Sequence, residues 1–371
     1  MTGGLSLYLD LLRLLAAVEV FVFHLTGFSF IGGQRNAWSS FGHEAVVVFF
    51  VLSGFVITHA AKTKDNDLPS YAVSRLTRVY SVALPCLALT CVFDLIGHHL
   101  APDFYAGLTP SGSPLLRLIA GSAMLNEAWV SVQMLSNTPY WSISYEFWYY
   151  VLFATLFYLK GRTRWFFAML AALVAGPKIM LLFPIWLMGW CAYSEVLSKR
   201  LQSWCAILLF VQPVFVLTAY GNFHWFKLGG EALEHVLGYP LWRNGMAWSR
   251  YVLSDTVLGA SIALHLVGAK MLGPRLLPIL KPLAKPIRFG ADRSFTLYLL
   301  HQPAILMAAA CLSGAQLGGS RPYLVGLAAV AIVGAVSLIT ERQRHRLKPL
   351  IGAAVDAATN VGRRMSLLPA R

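Results

Sequence analysis

The chain has 371 residues and a formal net charge of +14, and although 57% of its residues are hydrophobic, only 12% are charged. A soluble protein of this size carries about twice that share of charged residues, so the composition excludes a soluble globular protein. It indicates an all-α integral membrane protein, because helices that face lipid need few surface charges.

Ten hydrophobic segments approach the length of about 20 residues that an α-helix needs to cross a bilayer. In chain order they cover 7–26, 42–61, 78–97, 142–160, 164–177, 180–197, 203–220, 251–270, 294–312 and 322–340. We therefore predict one bundle of ten transmembrane helices within residues 1–345, followed by a basic cytoplasmic tail over residues 346–371.

The distribution of basic residues predicts the orientation of this bundle. With the N-terminus in the cytoplasm, the inner loops hold 22 of the 30 Lys and Arg residues, the outer loops hold 7, and Arg13 lies inside the first span. Because cytoplasmic loops carry an excess of Lys and Arg, both termini are predicted to be cytoplasmic. Topology and anionic lipid account for the positive charge, so no nucleic-acid partner is expected.

The first span contains ionisable residues that lipid disfavours, Asp10, Arg13, Glu19 and His24. Arg13 and His24 are eleven positions apart, which places them about 20° apart on one helix face and about 16 Å apart along the axis. Burying an arginine costs on the order of 2.5–3.5 kcal/mol, so both residues are expected to face the bundle interior and line a polar path. In the alternative interpretation, Arg13 pairs with Asp10 and His24 reaches the membrane interface.

Three further groups of polar residues lie in or beside the hydrophobic segments. Arg75 and Arg78 are three positions apart and share a helix face, where they either bind phosphates or simply add cytoplasmic positive charge. Glu146 lies deep in a span and must be paired or protonated, whether its role is functional or structural. Tyr298 and His301 continue one polar stripe from Ser294, and a packed core histidine is the alternative for His301. No spacing typical of a metal site is present, so no metal is expected.

Five stretches, in this order along the chain, resemble signatures of the membrane acyltransferase 3 family. They are the Arg-x10-His arrangement of Arg13 and His24, "FFVLSGFVIT", "RLTRVY", "YWSISYEFWYYVLF" and "FGADRSFTLYLLHQP". The resemblance implies a membrane-bound enzyme that moves an acyl group, most often acetyl, from cytoplasmic acyl-CoA to a hydroxyl group on a sugar or other acceptor in the cell envelope. It also implies a multi-pass protein of a bacterial plasma membrane, with acyl-CoA as a substrate and no permanently bound cofactor.

The resemblance and the helix geometry together suggest a role for each candidate residue. Arg75 and Arg78 would hold the coenzyme A head group, and Arg13 would line the channel for the pantetheine arm and thioester. His24 would be the general base on the acceptor hydroxyl, or would carry the acyl group covalently. Glu146 would orient or charge-balance this cluster. Substrate contacts would come from Ser53, Trp141, Ser142, Tyr298 and His301.

The acceptor would bind in the long outer loops, 98–141 and 221–250, and residues 113–129 are predicted to form an amphipathic or re-entrant cap.

Two functions of other classes also fit intramembrane Arg, Glu and His residues. A proton-coupled secondary transporter would use them as a relay, although no internal repeat is visible. A non-catalytic partner in glycan export would tolerate the loss of His24.

Overall fold

The computed structural model describes residues 1–36, 39–223, 225–341 and 344–366, so residues 367–371 of the predicted tail lie outside the described part. Within these ranges the regular structure is helical, apart from an isolated β-bridge between Met134 and Asn137. The α-helices are α1 (Gly3–Gly27), α2 (Gly42–Thr63), α3 (Leu68–Leu100), α4 (Pro102–Tyr105), α5 (Pro114–Ser122), α6 (Trp141–Tyr158), α7 (Gly161–Tyr193), α8 (Glu195–Arg200), α9 (Ser203–Asn222), α10 (Trp225–Leu237), α11 (Val252–Leu280), α12 (Ala284–Ala291), α13 (Ser294–Cys311), α14 (Arg321–Ser337) and α15 (Arg344–Ser366).

Several of these helices are long and apolar enough to cross a membrane, which makes the chain a multi-pass membrane protein. In the described ranges there are seven such segments: Gly42–Thr63, Leu68–Leu100, Gly161–Tyr193, Ser203–Asn222, Ala247–Ala291, Ser294–Cys311 and Gly318–Ser337. Helix α1 falls outside this group because it carries three charged residues, and α6 because it is rich in tyrosine and tryptophan. The count of ten spans and the cytoplasmic placement of both termini stay predictions.

Helix α7 covers the predicted fifth span and most of the sixth, and its backbone breaks at Gly176, where φ is 79° and ψ is 170°. Both ends of α7 lie beside the same end of α2. The Tyr158 hydroxyl, just before α7, donates to the Asp65 carbonyl, while the Tyr193 hydroxyl at its end lies 3.1 Å from Nδ1 of His59. The chain therefore reverses at Gly176, and α7 consists of two antiparallel arms.

Helices α2 and α7 pack closely because each presents a glycine to the other. A Cβ atom added to Gly54 would lie 2.1 Å from the Trp186 carbonyl oxygen, and one added to Gly189 would lie 1.9 Å from that of Val51. Real Cβ atoms do not approach backbone oxygens so closely. The Ser-Gly pair of the second span therefore does allow close helix approach.

We expect Gly54→Val to destabilise the protein by about 1–3 kcal/mol or more, because the added side chain must push α7 away from α2. The measurement is the midpoint of thermal unfolding in detergent micelles. Gly334→Val in α14 is the matched control, since a Cβ atom there meets nothing within 4 Å. Equal midpoints for the two variants would contradict this packing.

Residues 113–129 form the short helix α5 followed by an irregular segment that is buried in the bundle. Asn126 and Glu127 in this segment are only 1% and 2% exposed. A Cβ atom at Gly176 would lie 2.4 Å from the Ala128 carbonyl oxygen, so the segment fills the break in α7. There Lys178 lies 3.9 Å from Glu127 and donates to Ser131 Oγ at 2.8 Å. This segment is therefore anchored by a buried ion pair.

Helix α1 lies inside the bundle, where it packs against α2, α11, α12 and α13. Its ionisable residues have partners in these surroundings. Arg13 lies 3.6 Å from Asp10. Glu19 accepts a hydrogen bond of 3.0 Å from the backbone N–H of Phe41, immediately before α2, and so satisfies a donor at that helix start. The Arg13–Asp10 contact fits the alternative interpretation, but it does not turn Arg13 towards lipid.

Candidate active site

A cavity of about 70 Å³ lies between α1, α2, α3, α6 and α13. Its walls include seven of the ten residues that the sequence singled out, although these come from five separate helices. They are Arg13, Ser53, Arg75, Arg78, Ser142, Glu146 and Tyr298. A space of this size holds a few water molecules or one small organic group.

This cavity adjoins a larger basin of about 600 Å³, and Arg13, Arg78 and Phe295 line both. The basin also presents Arg293 and Arg344, together with the carboxylates of Asp292 and Glu341 and the hydroxyls of Ser81 and Ser337. We call the end of the bundle that carries this basin the basic end. Arg13 and Arg78 therefore stand between the basin and the cavity.

The two arginines at the start of α3 differ in their surroundings. Arg75 donates to Asp65 Oδ2 at 3.1 Å and to Ser74 Oγ at 2.6 Å. Arg78 lies with its guanidinium carbon 5.8 Å from the centre of the Phe295 ring, and it lines both the cavity and the basin. Arg78 is therefore better placed than Arg75 to bind an anion that enters through the basin.

Glu146 is oriented by two hydroxyl groups inside the cavity. Its Oε1 atom accepts a hydrogen bond of 3.0 Å from Ser53 Oγ and a short one from the Tyr150 hydroxyl. Ser53 in turn accepts from Trp186 Nε1 at 3.2 Å. These hydrogen bonds hold the Glu146 carboxyl group in the same cavity as Arg13 and Arg78.

A hydrogen bond of 2.5 Å joins Ser142 Oγ to the Tyr298 hydroxyl at the wall of the cavity. Both residues are buried. One turn further along α13, away from the basin, His301 lies with its ring centre 6.2 Å from that of Tyr298. The Ser142–Tyr298 contact therefore separates the cavity from the histidines beyond it.

His24 and His301 form a pair outside the cavity, with ring centres 5.0 Å apart. His301 is completely buried, and its Nδ1 atom lies 2.8 Å from the Tyr298 carbonyl oxygen and 3.1 Å from that of Leu297. Because carbonyl oxygens only accept hydrogen bonds, Nδ1 carries the proton and the neutral ring has its lone pair on Nε2. That buried Nε2 atom has no hydrogen-bond partner. An unpaired buried acceptor is costly and so points to a missing donor.

Trp141, a predicted substrate contact, does not line the cavity. Its ring stacks on Trp248, with centres 5.0 Å apart and planes at 9°, and packs edge-on against Tyr145.

Nearby, His43 Nε2 lies 3.0 Å from each carboxylate oxygen of Asp255, whose side chain is fully buried. Sequence reasoning missed this pair, because no local spacing connects residues that are 212 positions apart.

Comparison with known proteins agrees with the chemistry of these residues. A family model described as an acyltransferase domain matches residues 6–340. The curated protein "Acyltransferase MdmB" of Streptomyces mycarofaciens is 29% identical over 187 residues, which are 47% of this chain and 46% of that protein, so the match spans about half of that relative. No solved structure matches the chain. Because the family match covers nearly the whole chain, this protein belongs to the membrane acyltransferase 3 family.

Proposed function

We propose that the protein is an O-acyltransferase that moves an acyl group, acetyl in the simplest case, from acyl-CoA to a hydroxyl group on a sugar or other envelope acceptor. The observation that carries this proposal is that a basin with four arginines adjoins a small cavity that contains Arg13 and Glu146. We place the basic end and the tail in the cytoplasm, where acyl-CoA is available, and the acceptor on the other side of a bacterial plasma membrane.

On this proposal the donor enters through the basin. Its phosphates bind Arg78 with support from Arg293 and Arg344, since guanidinium groups bind phosphate through paired hydrogen bonds. The pantetheine arm then passes between Arg78 and Arg13, and the thioester enters the cavity. Arg13 binds the pantetheine arm as the thioester passes it, and Glu146 balances the arginine charge.

Transfer requires a base at the acceptor hydroxyl, and we assign this role to His24. His24 removes the hydroxyl proton while the oxygen attacks the thioester carbon. The carbon–sulfur bond breaks, and coenzyme A leaves as the thiol after it receives that proton. His301 is a positioning residue: its Nε2 atom, which has no partner in this structure, would accept the N–H of His24 once the two rings turn towards each other. This would leave the other His24 nitrogen free to take the proton. The Ser142–Tyr298 contact must open for the thioester to reach His24.

The decisive experiment incubates membranes that contain the protein with acetyl-CoA labelled in the acetyl group, and follows the label into envelope glycans by mass spectrometry. We expect ester-linked label with the wild type and none with membranes that lack the protein. Uptake of label into vesicles without ester formation would instead indicate a transporter. Equal labelling of glycans with and without the protein would exclude the proposed transfer.

Arg78→Ala should raise the KM for acetyl-CoA about tenfold or more, because a charge-assisted contact with a donor phosphate is lost. Arg75→Ala should instead lower the yield of folded protein, because Asp65 loses its ion-pair partner. Arg243→Ala, at an exposed position away from the basin, is the control. Steady-state kinetics with acetyl-CoA as the varied substrate test these separate roles of Arg78 in donor binding and Arg75 in folding. An unchanged KM in Arg78→Ala would contradict the role of Arg78.

A further inference from the structure

A groove of about 550 Å³ runs between α3, α6 and the first arm of α7. Its open side is marked by Phe167, Leu170 and Val174, which are 44%, 44% and 38% exposed. The groove lies near the start of α3 and the end of α6, at the basic end of the bundle. Its walls include Tyr71, Ala72, Trp148, Tyr150, Ala154 and Thr155.

Apart from Arg75 Nε, the main polar groups of these walls are already bonded within the protein. The Tyr71 hydroxyl donates to the Tyr150 carbonyl oxygen at 3.2 Å, Trp148 Nε1 donates to the Met124 carbonyl oxygen at 2.8 Å, and Thr155 Oγ1 donates to the Leu152 carbonyl oxygen at 2.8 Å. The Arg75 guanidinium binds Asp65. The groove therefore presents hydrocarbon to whatever fills it, and a hydrocarbon chain is the ligand that gains most from such walls.

The groove adjoins the cavity of the candidate active site, because Arg75 and Tyr150 line both. The hydroxyl group of Tyr150 lies inside the cavity, on Glu146, and its ring faces the groove. The Tyr150 side chain therefore forms the wall between the two spaces, and a chain that displaces it from the groove would reach the carboxylate of Glu146 inside the cavity. This is the place where the proposed function puts the thioester.

We propose that this groove binds the hydrocarbon chain of the acyl donor, so that the enzyme takes acyl-CoA thioesters with chains longer than acetyl. The inference rests on the proposed function, because it uses the same donor and the same cavity. The groove lies at the basic end, where Arg75 in its wall is three residues before Arg78, the proposed phosphate ligand. This favours the donor chain over the lipid anchor of an acceptor from the other side.

The test uses the purified full-length protein in lipid nanodiscs and compares the dissociation constants of acetyl-CoA and octanoyl-CoA. We expect octanoyl-CoA to bind at least about tenfold more tightly in the wild type, because its chain is buried in the groove. Ala72→Trp fills the groove from a half-buried position and should remove most of this advantage. Ala154→Leu, a smaller change at a buried position of the same wall, should reduce it. Ala331→Trp, on the exposed face of α14, should preserve it.

The possible outcomes separate this inference from the proposed function. If acetyl-CoA and octanoyl-CoA bind equally to the wild type, the function stands and the groove holds bilayer lipid instead. If octanoyl-CoA still binds more tightly than acetyl-CoA in both Ala72→Trp and Ala154→Leu, its chain partitions into the nanodisc lipid. That result also overturns the inference. If neither thioester binds, the proposed donor is wrong and the inference falls with it.

Discussion

His24→Ala should lower acyl transfer by about 10²–10⁴-fold, the usual contribution of a positioned general base. The residue is only half-buried, and no hydrogen bond in the described structure depends on it, so the protein should fold normally. The expected loss is in kcat, because the imidazole acts on the acceptor proton and not on the donor phosphates. Single-turnover transfer from labelled acetyl-CoA, with thermal unfolding as a measure of folding, provides the test.

His301 offers a further check, because the two histidines are proposed to act as one unit. His301→Gln should also lower kcat and flatten the pH–rate profile, and the double variant should be hardly worse than His24→Ala, since residues that act together are not additive. His99→Ala, at an exposed position near the end of α3, is the matched control. If the losses of His24→Ala and His301→Gln simply multiplied in the double variant, the positioning role of His301 would be wrong.

Lys178→Met should produce the largest loss of stability, about 3–5 kcal/mol, because it leaves the Glu127 carboxyl buried without its cationic partner. The side chains of Lys178 and Glu127 are 1% and 3% exposed, so water cannot replace the lost contact. The midpoint of thermal unfolding in detergent micelles measures the effect. Replacing both partners, with Lys178→Met and Glu127→Gln together, should recover much of the stability, whereas a double variant no better than Lys178→Met would contradict this account.

The loss of stability in Lys178→Met should also increase as the pH rises. Burial raises the pKa of Glu127 from its ordinary value to about 7, against the opposing effects of the Ser131 hydrogen bond and of Lys178. A carboxyl whose pKa is raised on folding favours the folded state when protonated, and this contribution is lost as the pH rises through the folded pKa. Without Lys178 the pKa rises further. The wild type and Lys178→Met should therefore differ more at pH 8.5 than at pH 6.

Part of the candidate site follows from helix periodicity alone. The eleven-residue spacing of Arg13 and His24 sets both on one face of α1, and the four-residue spacing of Glu146 and Tyr150 sets both on one face of α6. A polar residue in an apolar segment is expensive to expose to lipid, so each was expected to face the interior. The structure confirms the interior placement of Arg13 and Glu146, because both line the same cavity.

Other features depend on which helices become neighbours, and local sequence does not show this. The separate surroundings of Arg75 and Arg78 depend on Asp65 and Phe295, and the unpaired Nε2 of His301 is recognisable only once α13 lies beside α1. The same holds for Lys178, whose partner Glu127 belongs to a segment that the sequence describes only as a possible cap.

By itself, then, the sequence determined the membrane class, the family motifs and the residues that share the polar face of each helix. The tertiary structure alone decided that Trp141 lies away from the cavity, that His24 meets His301, and that an apolar groove adjoins the cavity at Tyr150. The physical reason is that periodicity determines which residues share a face of one helix. Which faces meet depends instead on side-chain packing between segments that lie far apart in the chain.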